Sequence, residues 1–167
     1  KDAPAFVANR LVTRFMGEII GAVDEGTPFD VADRATDALG LPMRPFTLMG
    51  MVGPAVAFHT ADTLHDAFPE RFPLSPTLES FASGEMDIVI TGEGRRTVDE
   101  IHVSILEALA DECRHLLDEG VVGSAAEIDA CLILGAGFPF FRGGLTPHLD
   151  ATGTSQRVTG RSLRAQP

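Results

Sequence analysis

Val23-Asp24-Glu25-Gly26, followed by Ala32-Asp33, Gly40-Leu41-Pro42, Pro45-Phe46 and Gly50, returns later in the chain as Leu117-Asp118-Glu119-Gly120, followed by Ile128-Asp129, Gly135-Ala136-Gly137, Pro139-Phe140 and Gly143. Asp24 and Asp118 lie 94 residues apart, and the spacing inside each copy drifts by only a residue or two. Each copy reads as a helix that stops at Gly, a second short helix, and a Gly/Pro/Phe elbow. A unit met twice predicts a duplicated helical fold whose copies pack on each other as an intramolecular pseudo-dimer.

The segments around these markers are helical. Val7, Leu11, Phe15, Ile19 and Val23 recur at helical spacing from Phe6 to Val23, with Pro4 before them and Gly26 just past the end. Thr27-Pro28-Phe29-Asp30 opens a second helix with Thr27 as N-cap, and Gly40 closes it. Gly53-Pro54 restarts the chain as a helix to about Phe68, and Ser75-Pro76 starts a short one. Thr97-Val98-Asp99-Glu100 and Ser124-Ala125-Ala126-Glu127 both fit the capping box, in which two side chains satisfy orphan backbone donors, so helices are expected over about 97–119 and 125–134. Asp87-Ile88-Val89-Ile90-Thr91 has strand composition but no partner run, so 84–96 reads as an extended linker exposed to proteolysis. The organisation is therefore an all-α chain: 1–83 first repeat, 84–96 linker, 97–153 second repeat, 154–167 a mildly basic, frayed tail.

Composition narrows the function. The 167 residues, 44% hydrophobic, can bury one core. A formal charge of −11 opposes non-specific nucleic-acid binding, which needs clustered Lys and Arg. No apolar run suits a membrane span and no leader pattern opens the chain, so the expected location is the cytoplasm. Cys113 and Cys131 form no Cys-x-x-Cys and read as buried hydrophobes. His59, Asp62 and His65 resemble a ligand cluster, but an i, i+6 spacing puts the two rings about 120° apart on a helix and gives no shared metal. No dinucleotide fingerprint, phosphate loop or Ser/His/Asp arrangement occurs. One polar feature stands out. Asn9 falls in a stripe with Thr13, Met16 and Ile20 along the edge of the first helix's apolar face. From pattern alone it is either a border residue bonded to water or a loop, or a hydrogen-bonding group aimed at a ligand.

Lys1-Asp2-Ala3-Pro4-Ala5-Phe6-Val7-Ala8-Asn9-Arg10-Leu11 resembles the junction of 3-hydroxyacyl-CoA dehydrogenases between the NAD-binding domain and the helical C-terminal domain. Asp24-Glu25-Gly26, Gly40-Leu41-Pro42-Met43 and Pro45-Phe46 are similar to that family's first C-terminal repeat. Gly137-Phe138-Pro139-Phe140-Phe141-Arg142-Gly143-Gly144, with Leu149-Asp150, resembles the second repeat of the multifunctional α-subunits of bacterial fatty acid oxidation complexes. The resemblance covers about residues 1–153. It implies a fold like the C-terminal domain of 6-phosphogluconate dehydrogenase and a fragment of an NAD-dependent oxidoreductase of fatty acid β-oxidation. The family's catalytic His-Glu pair and NAD fingerprint lie in the other domain, so this chain alone is expected to be inactive and to bind no cofactor. Asn9 inherits the one active-site role, facing acyl-CoA across the domain interface. The implied partners are the NAD-binding domain of the same parent chain, the acyl-CoA and a thiolase subunit. Ala5 stands where the family has Gly, Arg44 stands where Gly often precedes Pro-Phe, and 84–96 lacks the family's Gly-Lys-Gly-Phe-Tyr segment. A stand-alone helical assembly module without catalysis is the competing reading.

Overall fold

A computed structural model describes residues 3–164, so Lys1 and Asp2 of the junction sequence lie outside the described residues. The described chain is helical, with α1 (Ala8–Asp24), α2 (Phe29–Asp33), α3 (Pro45–Val52), α4 (Pro54–Ala67), α5 (Pro76–Ser83), α6 (Val98–Asp118), α7 (Ala125–Ala136), α8 (Leu145–Ala151) and α9 (Thr154–Thr159). No strand occurs among the described residues, as the all-α reading expects.

The periodicity that marks α1 and α6 is the periodicity they bury. Leu11, Phe15, Ile19 and Val23 of α1 face Ile101, Ile105, Leu109 and Leu116 of α6 in one core, and α1 against α6 is the principal helix pair. Each aliphatic side chain so buried contributes roughly 1.5–3 kcal/mol. The neighbours are reciprocal: α1 also packs on α7, and α6 packs on α2 and on the 3-10 turns Arg34–Leu39 that continue it. α4 and α5 flank α1, while α8 and α9 flank α6.

Local chemistry sets the helix ends. Thr97 forms the expected capping box, with its N–H donating to Glu100 Oε2 at 2.7 Å and its hydroxyl accepting from the Glu100 N–H at 3.3 Å. Ser124 caps α7, but Glu127 accepts from the Gly123 N–H at 3.0 Å and from the Ser124 hydroxyl at 3.4 Å, not from the Ser124 N–H that a capping box uses. Thr27 is not the N-cap of α2. That helix starts one residue later, at Phe29, and the Thr27 hydroxyl accepts from the Arg96 N–H at 2.9 Å. Arg44 needs no glycine geometry: it is extended, with φ −72°, and its guanidinium forks onto Asp37 at 2.8–2.9 Å. Ala5 does adopt a left-handed conformation, φ 56°, one that glycine enters without cost.

Two further departures from the sequence reading concern connections. The linker is extended, yet it is tied down: Asp87 N–H to Ser80 Oγ, Val89 N–H to Thr77 Oγ1, Thr91 N–H to the Asp24 carbonyl, and Arg96 to Glu25 at 2.9 Å. The tail is not frayed over its described length. Residues 154–159 form α9 against α6, Leu163 is buried, and Asp150 accepts from the Leu163 and Arg164 N–H groups. Apart from Ser80, seven residues from Asp87, the hydrogen-bonding partners that hold both segments lie more than ten residues away, invisible to local pattern.

Asp33 and Asp129, which occupy matching places in the two copies, do matching work. Asp33 Oδ1 accepts the Phe46 N–H at 3.0 Å; Asp129 accepts the Thr146 N–H at 2.8 Å and its hydroxyl at 2.6 Å. Each carboxylate satisfies a backbone donor in the first turn of the third element. In the second copy this brings Asp129 so close to Gly144 that a Cβ there would sit 2.5 Å from the carboxylate, at a φ of 112°. Gly144→Ala is therefore expected to destabilise the chain by about 2–3 kcal/mol, from backbone strain plus loss of the Asp129–Thr146 bonds. Urea unfolding measures it, and a change below 1 kcal/mol would show that the turn can shift freely.

Candidate functional site

The stripe singled out in the sequence lies along a groove. Asn9, Thr13, Met16 and Ile20 of α1 line a cleft of about 580 Å³, walled by Val52 and Val56 of the α3–α4 corner and by Phe72 and Leu78, and ending at Ala136 of α7. Most of this lining is apolar, with charged groups at the margin: Arg14 paired with Glu18 at 2.7 Å, and Arg96 paired with Glu25. Asn9 is exposed and its side chain makes no hydrogen bond among the described residues. Its amide is thus one of the few groups in the groove free to bond a ligand. The cleft has the apolar walls and sparse polar groups of a small-molecule site, but it is open along one side.

Exposed apolar side chains lie at both limits of the groove. Met51 and Val56 stand at the α3–α4 corner, and Leu134, 87% exposed, lies beside Gly135 and Ala136 at the other end. Phe140 and Phe141 on the following turn are also exposed, as is Phe6 just before α1. Apolar surface gathered around a cleft in this way marks an interaction site or a ligand-binding groove.

Behind the groove lies an ionic cluster that the sequence reading missed. Arg10, the residue after Asn9, is fully buried, and its Nε pairs with Glu112 of α6, which is also fully buried. Arg10 Nη2 donates to Glu119 at 2.9 Å, and Arg71, on the groove wall, reaches Glu119 at 3.1 Å and Glu112 at 3.4 Å. Both guanidinium groups stack on Phe68, with Cζ 4.6 and 4.0 Å from the ring centroid. Burial alone pushes the Glu119 carboxyl up, but the hydrogen bond from Arg10 and the charges of Arg10 and Arg71 outweigh it and hold the carboxyl below its ordinary value.

That shift fixes a pH dependence. A carboxyl whose folded value is depressed adds stability above its unfolded value, and the contribution is lost as the pH falls through the folded one. Asp150 shifts downward as well: burial raises it, and the bonds from Ser162, Leu163 and Arg164 more than offset this. Stability is therefore expected to be flat near neutrality and to fall once the pH drops below about 4–5, the ordinary carboxylate range. Arg71→Met should flatten the acid limb by weakening the depression at Glu119. Thermal melts of both proteins between pH 3 and 7 check this, and parallel curves would remove Arg71 from the cluster's energetics.

The remaining polar residues stay apart. His65 Nδ1 is 2.9 Å from the Phe72 carbonyl and His102 Nδ1 is 2.8 Å from that of Ala35, while His59 is exposed. No group of three His, Cys, Asp or Glu side chains suited to a metal occurs among the described residues. Cys113 is buried in the core, as the sequence reading expects, and burial pushes its thiol well up; Cys131 is only half-buried, packed against the edge of that core. No described helix is long and apolar enough to cross a membrane.

Comparison with known proteins agrees with this architecture. Residues 6–87 match the family model of the 3-hydroxyacyl-CoA dehydrogenase, C-terminal domain. Fatty acid oxidation complex subunit alpha of Acinetobacter baylyi is 27% identical over 94% of this chain and 27% of its own length. The protein of the same name from Pseudomonas putida gives the same identity and coverage. The chain thus spans about a quarter of the length of the curated relatives it matches. The first relative aligns over 192 positions against 167 residues here, so it carries additional residues within this region.

Proposed function

We propose, on the premise that residues 6–87 are a 3-hydroxyacyl-CoA dehydrogenase C-terminal domain, that the chain is the helical part of an NAD-dependent 3-hydroxyacyl-CoA dehydrogenase of bacterial fatty acid β-oxidation. The observation that carries this reading is the open groove with an unbonded Asn9 on its rim and apolar side chains at both limits. An NAD-binding domain of the same parent chain covers the groove, and acyl-CoA lies between the two. A thiolase subunit is the further partner, and the cytoplasm the location.

The parent reaction is the reversible oxidation of the 3-hydroxyl group. This chain has no glycine-rich strand-to-helix turn and no strand among its described residues, so its residues do not fit NAD, and the cofactor and the general base belong to the covering domain. What this chain contributes is positioning. Asn9 presents an amide that can donate to a substrate oxygen or hold a neighbouring catalytic side chain, and the apolar walls exclude water around it. The two copies, 1–83 and 97–153, are related by a pseudo-two-fold axis between α1 and α6. The reciprocal packing of α1 on α7 and of α6 on α2, and the matched roles of Asp33 and Asp129, support this.

Mixing the purified chain with the separately expressed NAD-binding domain is expected to restore oxidation of 3-hydroxyacyl-CoA that neither part performs alone. Calorimetric titration of this chain with NAD is expected to give no measurable heat of binding. A stand-alone assembly module would restore nothing on mixing, and a micromolar affinity for NAD would overturn the division of labour.

A further inference from the structure

We propose that Arg10, held by Glu112, is a positioning residue that aims Asn9 into the groove. The inference rests on the functional reading above. It starts from what does not hold the first turn of α1. Val7, at the N-cap, makes no side-chain capping bond, and Ala5 and Phe6 just before it are left-handed, with φ 56° and 53°. The orphan N–H groups of that turn therefore lack the usual local anchor.

Arg10 supplies a distant anchor instead. Its guanidinium is fixed on α6 by Glu112, on the end of α6 by Glu119, and on the connection after α4 by the Phe68 ring. Successive residues on a helix point about 100° apart. Fixing the direction of Arg10 thus fixes that of Asn9, whose side chain makes no hydrogen bond among the described residues. Arg71 closes the connection, because it touches the buried Glu112 carboxylate and the partly exposed Glu119 and also forms part of the groove wall. Planarity matters here. A guanidinium can stack its plane flat on a ring while its fixed fork of donors reaches two carboxylates, a geometry that the compact, non-planar ammonium does not reproduce.

The test is a double-mutant cycle in the full-length parent enzyme with Glu112→Gln and Asn9→Ala, while thermal melts of the 167-residue chain establish that each variant folds. Glu112→Gln keeps the side-chain shape and one acceptor but removes the charge. It is expected to lower kcat about tenfold with little change in KM, since small misplacement of a positioned group suffices for such losses. In the Asn9→Ala background the same change is expected to cost nothing further. Equal losses in both backgrounds overturn the proposal, as does normal turnover of Glu112→Gln when Asn9→Ala alone is impaired. If Asn9→Ala is itself without effect, the functional reading fails at its own premise, a distinct result. Arg10→Lys is the second variant: it retains charge without the fork, and activity restored to normal by lysine also overturns the proposal.

Discussion

Glu112→Ala is expected to cost the fold about 3 kcal/mol, near the lower end of what breaking a buried ion pair does. The substitution removes the partner of a guanidinium with no solvent exposure, so the Arg10 charge stays buried with half its acceptors gone. Glu119 still accepts from Nη2 at 2.9 Å, which keeps the loss from the upper end, and Arg10 Nη1 has no hydrogen-bond partner among the described residues to begin with. The asymmetry between breaking and replacing the pair decides the interpretation. Arg10→Met with Glu112→Leu removes both charges and refills the space, and it is expected to stay within roughly 1–2 kcal/mol of the parent stability. Urea unfolding of the single and double variants at neutral pH makes the comparison. A double variant as unstable as Glu112→Ala would mean that the charged network itself, and not merely the filling of the space, is what stabilises the fold.

That cluster also shows where a sequence stops being readable. Arg10 and Glu112 are 102 residues apart, and no local pattern joins them. A signal existed all the same: Glu112 stands among Ile105, Leu109, Cys113 and Leu116 on the buried face of α6, and Arg10 sits beside Leu11 on that of α1. A charge on an apolar face calls for a buried counter-charge, and two such faces occur on the two helices most plainly marked by periodicity. Those helices were legible because long amphipathic segments carry their own evidence. α3, α8 and α9 were not, since segments of six to eight residues starting at Pro45, Leu145 and Thr154 offer about two turns of pattern. The groove was half legible. Its α1 stripe followed from the helical wheel, whereas its far wall at Val52, Val56 and Leu78 depends on how α3, α4 and α5 fold back.

The same limit makes Asn9 the residue on which the functional reading turns. It is exposed and placed at the groove rim, and among the described residues nothing bonds its side-chain amide. Asn9→Ala should leave the melting temperature of this chain essentially unchanged, as surface changes away from structural contacts usually do. In the full-length enzyme it should lower kcat/KM roughly ten- to a hundredfold, which corresponds to about 1.5–3 kcal/mol of lost hydrogen bonding in the transition state. The structural alternative predicts the opposite pair of results, a lowered melting temperature with normal turnover. How the loss divides is informative too. A fall in kcat at constant KM places the amide on the reacting centre or on a catalytic side chain beside it, and a rise in KM at constant kcat places it on a remote part of the acyl-CoA. Unchanged kinetics on both counts would remove the functional reading at its premise and leave the groove with no assigned part in catalysis.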